Sequence, residues 1–233
     1  MSVVAIIVSG GSGERFGRAG GKQFAPLAGR TVLAHTLAAF ETCTAIDGIV
    51  VVTHPDTVPE CAELVAPFVK VSAIVAGGET RQDSVASGLA AVSPDVEFVV
   101  IHDGARPLVL PETIADVVEA LRSSTDDGVI IGHPSFDTVK RVDVSGRVIA
   151  TEDRDSLWLV QTPQAFRAAA LRAAYAMVAE STDSRHATDD AALVERAGGS
   201  VRVLLGPRDN LKITVPEDLA VAEQVLLVRG RPS

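Results

Sequence analysis

The stretch Ser9 to Gln23, SGGSGERFGRAGGKQ, packs six glycines and three cations, Arg15, Arg18 and Lys22, into fifteen residues. Glycine backbone lets N–H groups approach a phosphate closely, and Arg15 and Lys22 bring charge to it from two directions. Two familiar phosphate-binding patterns are approached and neither is completed. The dinucleotide fingerprint needs G-x-G-x-x-G opening straight into a helix. Gly11 and Gly13 fit its first two places, but Phe16 stands at the third. The P-loop needs G-x-x-x-x-G-K followed by Ser or Thr. Here Phe16 takes the first glycine's place and Gln23 follows Lys22. Gly17, Gly20, Gly21, Pro26 and Gly29 then keep the chain irregular to about Thr31. What remains is a long glycine-rich loop suited to wrapping a polyphosphate and releasing it.

Other chemistry-bearing residues fall at the tips of apolar runs. HDGARP carries Asp103 and Arg106, either a turn or a pair meeting a ligand. His102, beside them, reads as structural. GGETRQDS places Ser84 near a helix start, where backbone donors face an anion or a base edge. Only four of the 21 cations are lysine: Lys22, Lys70, Lys140 and Lys212. Such a bias predicts that a retained lysine marks a place for a compact ammonium.

The elements needed to position these tips are legible. The continuous apolar run at 3–9 predicts a strand buried on both faces, 48–54 another buried strand, and 71–78, 97–103 and 128–134 three further strands. Helical spacing alternates with them at 31–41, 57–67, 81–92 and 111–123, the last with Pro111 at its start. Alternation of this kind gives βαβ units and a mostly parallel sheet, whose ligands bind at the carboxyl edge. After residue 134 the pattern changes. Residues 138–153 alternate apolar and polar around Ser145-Gly146 and predict a β-hairpin arm. Residues 163–180 read as an alanine-rich helix with Pro163 at its first position, and 188–197 as another, stopped by Gly198-Gly199. A late strand, VRVLLG, precedes a final helix that Thr214 and Glu217 open in capping-box spacing. The expectation is one α/β domain over 1–233, a Rossmann-like, mostly parallel sheet with flanking helices, and a projecting arm at about 135–158.

Composition narrows the function. The chain is 47% hydrophobic, enough for a substantial core, and 4% aromatic, so aliphatic residues must fill it. A net charge of −9 argues against nucleic-acid binding by bulk electrostatics. Cys43 and Cys61 have no metal-ligand spacing and read as reduced thiols of a cytoplasmic protein. The opening MSVVAIIVSGG lacks a basic region and is not expected to be a signal peptide, and no segment is long enough to span a membrane.

With KQFAPLAGRTVL following the loop, the chain resembles the nucleotidyltransferases that couple a nucleoside triphosphate to a phosphorylated metabolite. Within them it is similar to the 2-C-methyl-D-erythritol 4-phosphate cytidylyltransferase family of the non-mevalonate isoprenoid pathway. GGETRQDSVASGL, VVIHDGARPL, FDTVKRV, EDRDSLWLVQTPQAF, ATDDAALVE and DNLKITVPEDLAVAE occur in the family's order across roughly residues 3–228. The loop departs from the family's usual form: Ser9-Gly10-Gly11 replaces Ala-Ala-Gly, Phe16 replaces Met, and Gly21 replaces the proline before the lysine. These changes alter loop flexibility more than charge.

The resemblance implies transfer of CMP from CTP to methylerythritol phosphate with release of pyrophosphate. The attacking group is a phosphate oxygen, and a phosphate monoester is largely dianionic near neutral pH. No general base is then required, and catalysis rests on positioning two polyanions and neutralising the crowded centre. Arg15 and Lys22 match the transition-state stabilisers, and Arg154 and Lys212 match residues that position the acceptor, Arg154 from the arm of a neighbouring subunit. Ser9, Gly10, Gly11, Gly13, Gly78, Glu79, Ser84 and Gly104 match nucleotide contacts. Asp103, Arg106, Thr138, Thr162 and Thr188 match acceptor contacts. Thr162 and Thr188 fit equally the N-caps of the helices expected after them, and Lys140 fits a solvated strand charge. A homodimer with composite sites is implied, as is Mg²⁺ on the triphosphate with no dedicated protein cage. The chain is too short to be expected to carry the pathway's later cyclase as well. Two alternatives stay open: a related nucleotidyltransferase acting on another phosphorylated polyol or sugar, and a nucleotide-binding regulatory module without turnover.

Overall fold

In the computed structural model, which describes residues 1–11, 16, 21–180 and 187–230, all five apolar runs are strands. They are β1 (Val3–Ser9), β4 (Gly48–Thr53), β5 (Val71–Ala76), β6 (Phe98–Asp103) and β7 (Gly128–Pro134). With β10 (Trp158–Arg167) and β11 (Val201–Leu205) they form one seven-stranded sheet in the order β11-β7-β10-β6-β1-β4-β5. Every pairing is parallel except those of β10, which runs antiparallel to both β6 and β7.

Burial on both faces is realised in β1, β4 and β6, whereas β5, at the edge of the sheet, is only partly buried. Ala5 and Ile7 of β1, Ile49 and Val51 of β4, and Phe98 and Val100 of β6 face one core. Ile6, Val50, Val52, Val99 and Ile101 face the other. The first core is closed by α1 (Val32–Thr42), α2 (Val58–Val65) and α4 (Pro111–Arg122), through Leu33, Phe40, Cys61, Ile114 and Leu121. The second is closed by α3 (Arg81–Ala91), α5 (Ala168–Glu180) and α6 (Asp190–Arg196), through Val85, Leu89, Leu171 and Val194. Gly88 lets α3 lie close on the sheet, because a Cβ there would stand 2.6 Å from Ile6 Cγ2 and 2.8 Å from Val52 Cγ2. A small third cluster joins the hairpin of β2 (Pro26–Leu27) and β3 (Arg30–Thr31) to Ala222 of α7 (Glu217–Arg229).

Three expectations about local structure are corrected. The segment 163–180 is not one helix from Pro163: β10 continues to Arg167 and α5 starts at Ala168. Proline is poor inside a central strand because it cannot donate to the ladder. Here Pro163 sits where the β10–β7 register skips, between Gln161 and Gln164, and the Thr162–Pro163 peptide is cis. Thr162 is therefore a strand residue rather than an N-cap. The cap of α6 is Asp189, whose carboxylate accepts from Ala192 N at 3.1 Å, so Thr188 lies outside it. At α7 the Thr214–Glu217 capping box does not form. The Asp218 carboxylate instead accepts from the backbone N–H of Thr214 and Val215, at 2.6 and 3.0 Å.

The expected hairpin is present as β8 (Lys140–Val142) and β9 (Val148–Thr151). Its turn is held by Asp143, which accepts from Ser145 N and Arg147 N. Val142, Val144, Val148 and Ile149 are exposed on it. No described helix is long and apolar enough to cross a membrane.

Candidate active site

The chain passes from β1 outward through β4 to β5, then returns to lay β6 on the other side of β1. That reversal opens a crevice at the carboxyl ends of the strands, the general ligand position of open α/β sheets. A cavity of about 590 Å³ lies there. Ser9, Gly10 and Gly11 line it from the end of β1, and Gly78 and Glu79 from the segment after β5. Ser84 lines it from the first turn of α3, and Lys22 and Lys212 from the surrounding loops. The α3 N-terminus is built by a capping box missed in the sequence reading: Thr80 Oγ1 accepts from Asp83 N, and the Asp83 carboxylate accepts from Thr80 N, both at 3.0 Å.

A second cavity, of about 220 Å³, adjoins it. Arg106, Thr162 and Thr188 line it with Gln161, Gln164 and Asp189. Arg81, Asp103 and Lys212 line both cavities and so form the wall between them.

Asp103, at the end of β6, is the centre of that wall. Its Oδ1 accepts from Arg81 Nε at 3.2 Å, and its Oδ2 from Lys212 Nζ at 2.8 Å and Arg106 Nε at 3.4 Å. Burial alone would raise this carboxyl, but Lys212, Arg81 and Arg106 outweigh it and hold it well below the usual carboxylate range. Burial also works against the charge of Arg81. The Asp190 and Asp103 carboxylates outweigh that and hold the guanidinium above its ordinary value. Burial is the larger influence on Arg106 and lowers it; its Nη1 donates to Asn210 O at 2.9 Å.

His102 supports the wall from behind and is structural, as expected. Its Nε2 faces Arg106 O at 3.3 Å, an acceptor only, so Nε2 carries the proton. Its bare Nδ1 then accepts from Thr162 Oγ1 at 3.0 Å, while the same oxygen accepts from Asp103 N at 3.1 Å. Full burial pushes the imidazole down to about 3, so it stays neutral. The Thr162 hydroxyl is thus committed inward, fixing the backbone of Asp103.

The remaining sequence candidates divide. Gly104 lines neither cavity: its N–H donates to Val8 O at 2.8 Å, its carbonyl accepts from Thr36 Oγ1 at 3.0 Å, and a Cβ would stand 3.0 Å from Ser9 Cβ. It lets β6 pack against β1, with its N–H and one lone pair of its carbonyl used inside the chain. Thr138 and Arg154 are exposed at the base of the arm, away from both cavities, with Arg154 Nη1 donating to Phe136 O at 3.1 Å. Gly13 and Arg15 lie outside the described residues. Of the four lysines, Lys22 and Lys212 reach the crevice, whereas Lys70 donates to Cys43 O and exposed Lys140 donates to Thr151 Oγ1. No group of three potential metal ligands occurs among the described residues.

Arg81 and Asp190 were missed in the sequence reading. The signal for Arg81 was a cation at the first position of a helix, where the dipole disfavours it. Such a placement calls for a compensating anion, and Asp190 Oδ2 supplies it at 2.7 Å across 109 residues of sequence.

Residues 3–228 match the 2-C-methyl-D-erythritol 4-phosphate cytidylyltransferase family. The protein of that name from Geotalea uraniireducens is 42% identical over 231 residues, covering 97% of both chains. The crystal structure of 4-diphosphocytidyl-2C-methyl-D-erythritol synthase from Anaerococcus prevotii superposes with a TM-score of 0.85 at 33% identity, over 97% of this chain and 98% of the other. That of the Thermus thermophilus cytidylyltransferase gives 0.77 at 33% identity, over 97% and 98%. With full-length similarity of this kind and the crevice in place, the chain belongs to the 2-C-methyl-D-erythritol 4-phosphate cytidylyltransferase family.

Proposed function

We propose that this protein transfers CMP from CTP to 2-C-methyl-D-erythritol 4-phosphate, giving 4-diphosphocytidyl-2-C-methyl-D-erythritol and pyrophosphate. The observation that carries the reading is the pair of adjoining cavities that share the cationic wall of Arg81, Asp103 and Lys212. A transfer between two polyanions needs two anion sites in contact, with cations at the junction.

The larger cavity takes the nucleotide. Ser9, Gly10 and Gly11 lie along it, Gly78, Glu79 and Ser84 meet the cytidine, and Gly13 and Arg15 keep the roles that the family resemblance implies. Lys22 and Arg15 neutralise the triphosphate where the acceptor's phosphate oxygen attacks the α-phosphorus and the bond to pyrophosphate breaks. The smaller cavity takes the acceptor. Asp103 receives a hydroxyl, Arg106 and Lys212 meet the phosphate, and Thr162 and Thr188 line the space. The Asp103 oxygens are already held by three cations, so the site offers Mg²⁺ no carboxylate cage. The ion would ride on the phosphates, where it offsets their charge.

Thr138 and Arg154 complete the acceptor site of a second copy of the chain through the arm, which makes the enzyme a homodimer. The apolar side chains exposed along the arm and the start of β10 support this, since an exposed patch of this kind marks an interaction surface. Two buried free thiols, Cys43 and Cys61, suit a cytoplasmic location. Incubation with Mg²⁺, methylerythritol phosphate and each of the four nucleoside triphosphates tests the activity. Pyrophosphate release with CTP is expected. Release with CTP and a different phosphorylated polyol only would replace the acceptor, and nucleotide binding without turnover on any acceptor would remove the enzymatic reading.

A further inference from the structure

The wall between the cavities is tied to a pair of hydrogen-bonded side chains behind it that line neither cavity. Asp190 is 1% exposed and both of its oxygens are used. Oδ2 accepts from Arg81 Nη1 at 2.7 Å and Oδ1 accepts from Tyr175 Oη at 2.6 Å. From Arg81 the chain runs to Asp103 and on to Lys212. Neither Tyr175, on α5, nor Asp190, on α6, lines either cavity. We propose that Tyr175 and Asp190 are positioning residues for the transfer, anchoring Arg81 so that Asp103 keeps its orientation when Lys212 turns from it to the acceptor's phosphate.

The charges favour this division of labour. Arg81, Arg106 and Lys212 carry three positive charges against two negative ones on Asp103 and Asp190. Lys212 has the most exposed side chain of the three cations, 38% against 28% for Arg81 and 12% for Arg106. It is the one an incoming dianion can recruit with least rearrangement. Once it leaves, Asp103 depends on Arg81 and Arg106. Arg81 in turn stands at the first position of α3, where the helix dipole repels it, and only a fixed anion holds it there. Asp190 is placed in the first turn of α6, where a carboxylate is favoured. The Tyr175 hydroxyl occupies its second oxygen and sets the plane of the carboxylate.

The inference rests on the acceptor reading above, and the test separates the two. In steady-state assays with CTP and methylerythritol phosphate, Tyr175→Phe should lower kcat/KM for the acceptor about 10-fold, as loss of one hydrogen bond to a charged group implies. Asp190→Asn should lower it about 100-fold by weakening the Arg81 pair. KM for CTP should stay within about twofold of wild type, since Ser9, Gly10, Gly11, Gly78, Glu79 and Ser84 of the first cavity lie outside the Tyr175–Asp190–Arg81 chain. Adding Tyr175→Phe to Asp190→Asn should change nothing further, because the two act in series. A merely structural role would lower the melting temperature without this split between substrates and without the non-additivity.

Tyr175 is the single tyrosine of the chain, so its phenol can also be titrated by ultraviolet absorbance. Burial and then Asp190 push it well above its ordinary value, with Asp83 acting in the same direction and Arg81 opposing. Asp190→Asn should bring ionisation back toward pH 10 in folded protein. If wild type turns over methylerythritol phosphate but Tyr175→Phe retains wild-type constants, the inference is wrong and the function stands. If wild type does not turn it over, the function reading falls. The anchor then falls too if Asp190→Asn leaves the phenol titration unchanged.

Discussion

The Asp103 wall and the hairpin arm solve opposite problems. At the wall, a nearly buried carboxylate is surrounded by three cations, all of them supplied by the same chain. In the arm, β8 and β9 pair among the described residues only with each other, and Val142, Val144, Val148 and Ile149 are exposed. Its ion pair, Arg141 to Glu152 at 2.7 Å, has an arginine that is 65% exposed. Exposed pairs of this kind contribute little to stability. A buried charge must be compensated where it lies, whereas an apolar arm can wait for a partner. The electrostatics of the wall are therefore complete in one chain, and the apolar burial of the arm is not.

Substitutions can break or sharpen that contrast. The largest effect should come from Lys22→Ala, which removes a cation at the crevice rim: turnover should fall on the order of 10³-fold with an unchanged melting temperature. A fully active variant would refute the role assigned to Lys22. Next is Asp103→Ala, which leaves three cations facing one another and should cost about 3 kcal/mol or more in denaturant unfolding. A loss no greater than that of an arm substitution would dissolve the contrast itself. A pH-dependent effect follows from His102. Its folded value of about 3 lies below the ordinary 6.5, so between these values the unfolded chain binds a proton that the folded chain does not. Stability should be full above pH 6.5 and fall as pH drops through that window. His102→Gln should flatten the slope of melting temperature against pH there; an unchanged slope would assign it to other groups. The smallest effect on the folded monomer should come from Ile149→Asp, within about 0.5 kcal/mol. Sedimentation should nonetheless show a weakened dimer, and a wild-type protein that sediments as a monomer would end the proposal of composite sites.

Legibility in the sequence followed the same divide between local and distant causes. The strands were plain because short runs rich in Val and Ile, bounded by turn residues and alternating with helical spacing, suit a sheet better than a helix, and the carboxyl-edge loops followed from that alternation. The 163–180 segment was misread because Pro163 suits a helix start and is unfavourable in a central strand; a skip in register, invisible in the sequence, accommodates it. Thr188 gave way to Asp189, which caps α6 one residue later by accepting from Ala192 N, and the Asp218 carboxylate takes the Thr214 N–H that a capping box would have used. Asp103, Arg106 and Lys212 were found from their motifs. The Arg81–Asp190–Tyr175 chain was not, because its central contact joins residues 109 apart, and the odd placement of Arg81 at a helix start does not name the anion that compensates it.

Gly88 gives the site a mechanical scale. It lies seven residues, about 10 Å of helix, from Arg81, and the sheet beneath it leaves no room for a methyl group. The helix is therefore a lever resting on the sheet at Gly88, with the cationic wall at its far end. Any side chain at the fulcrum must lift or tilt the whole rod, and tenths of an ångström there become a displaced guanidinium at the junction of two cavities. The reach of Arg81 toward Asp103 is thus gauged by an atom that is missing from the middle of α3.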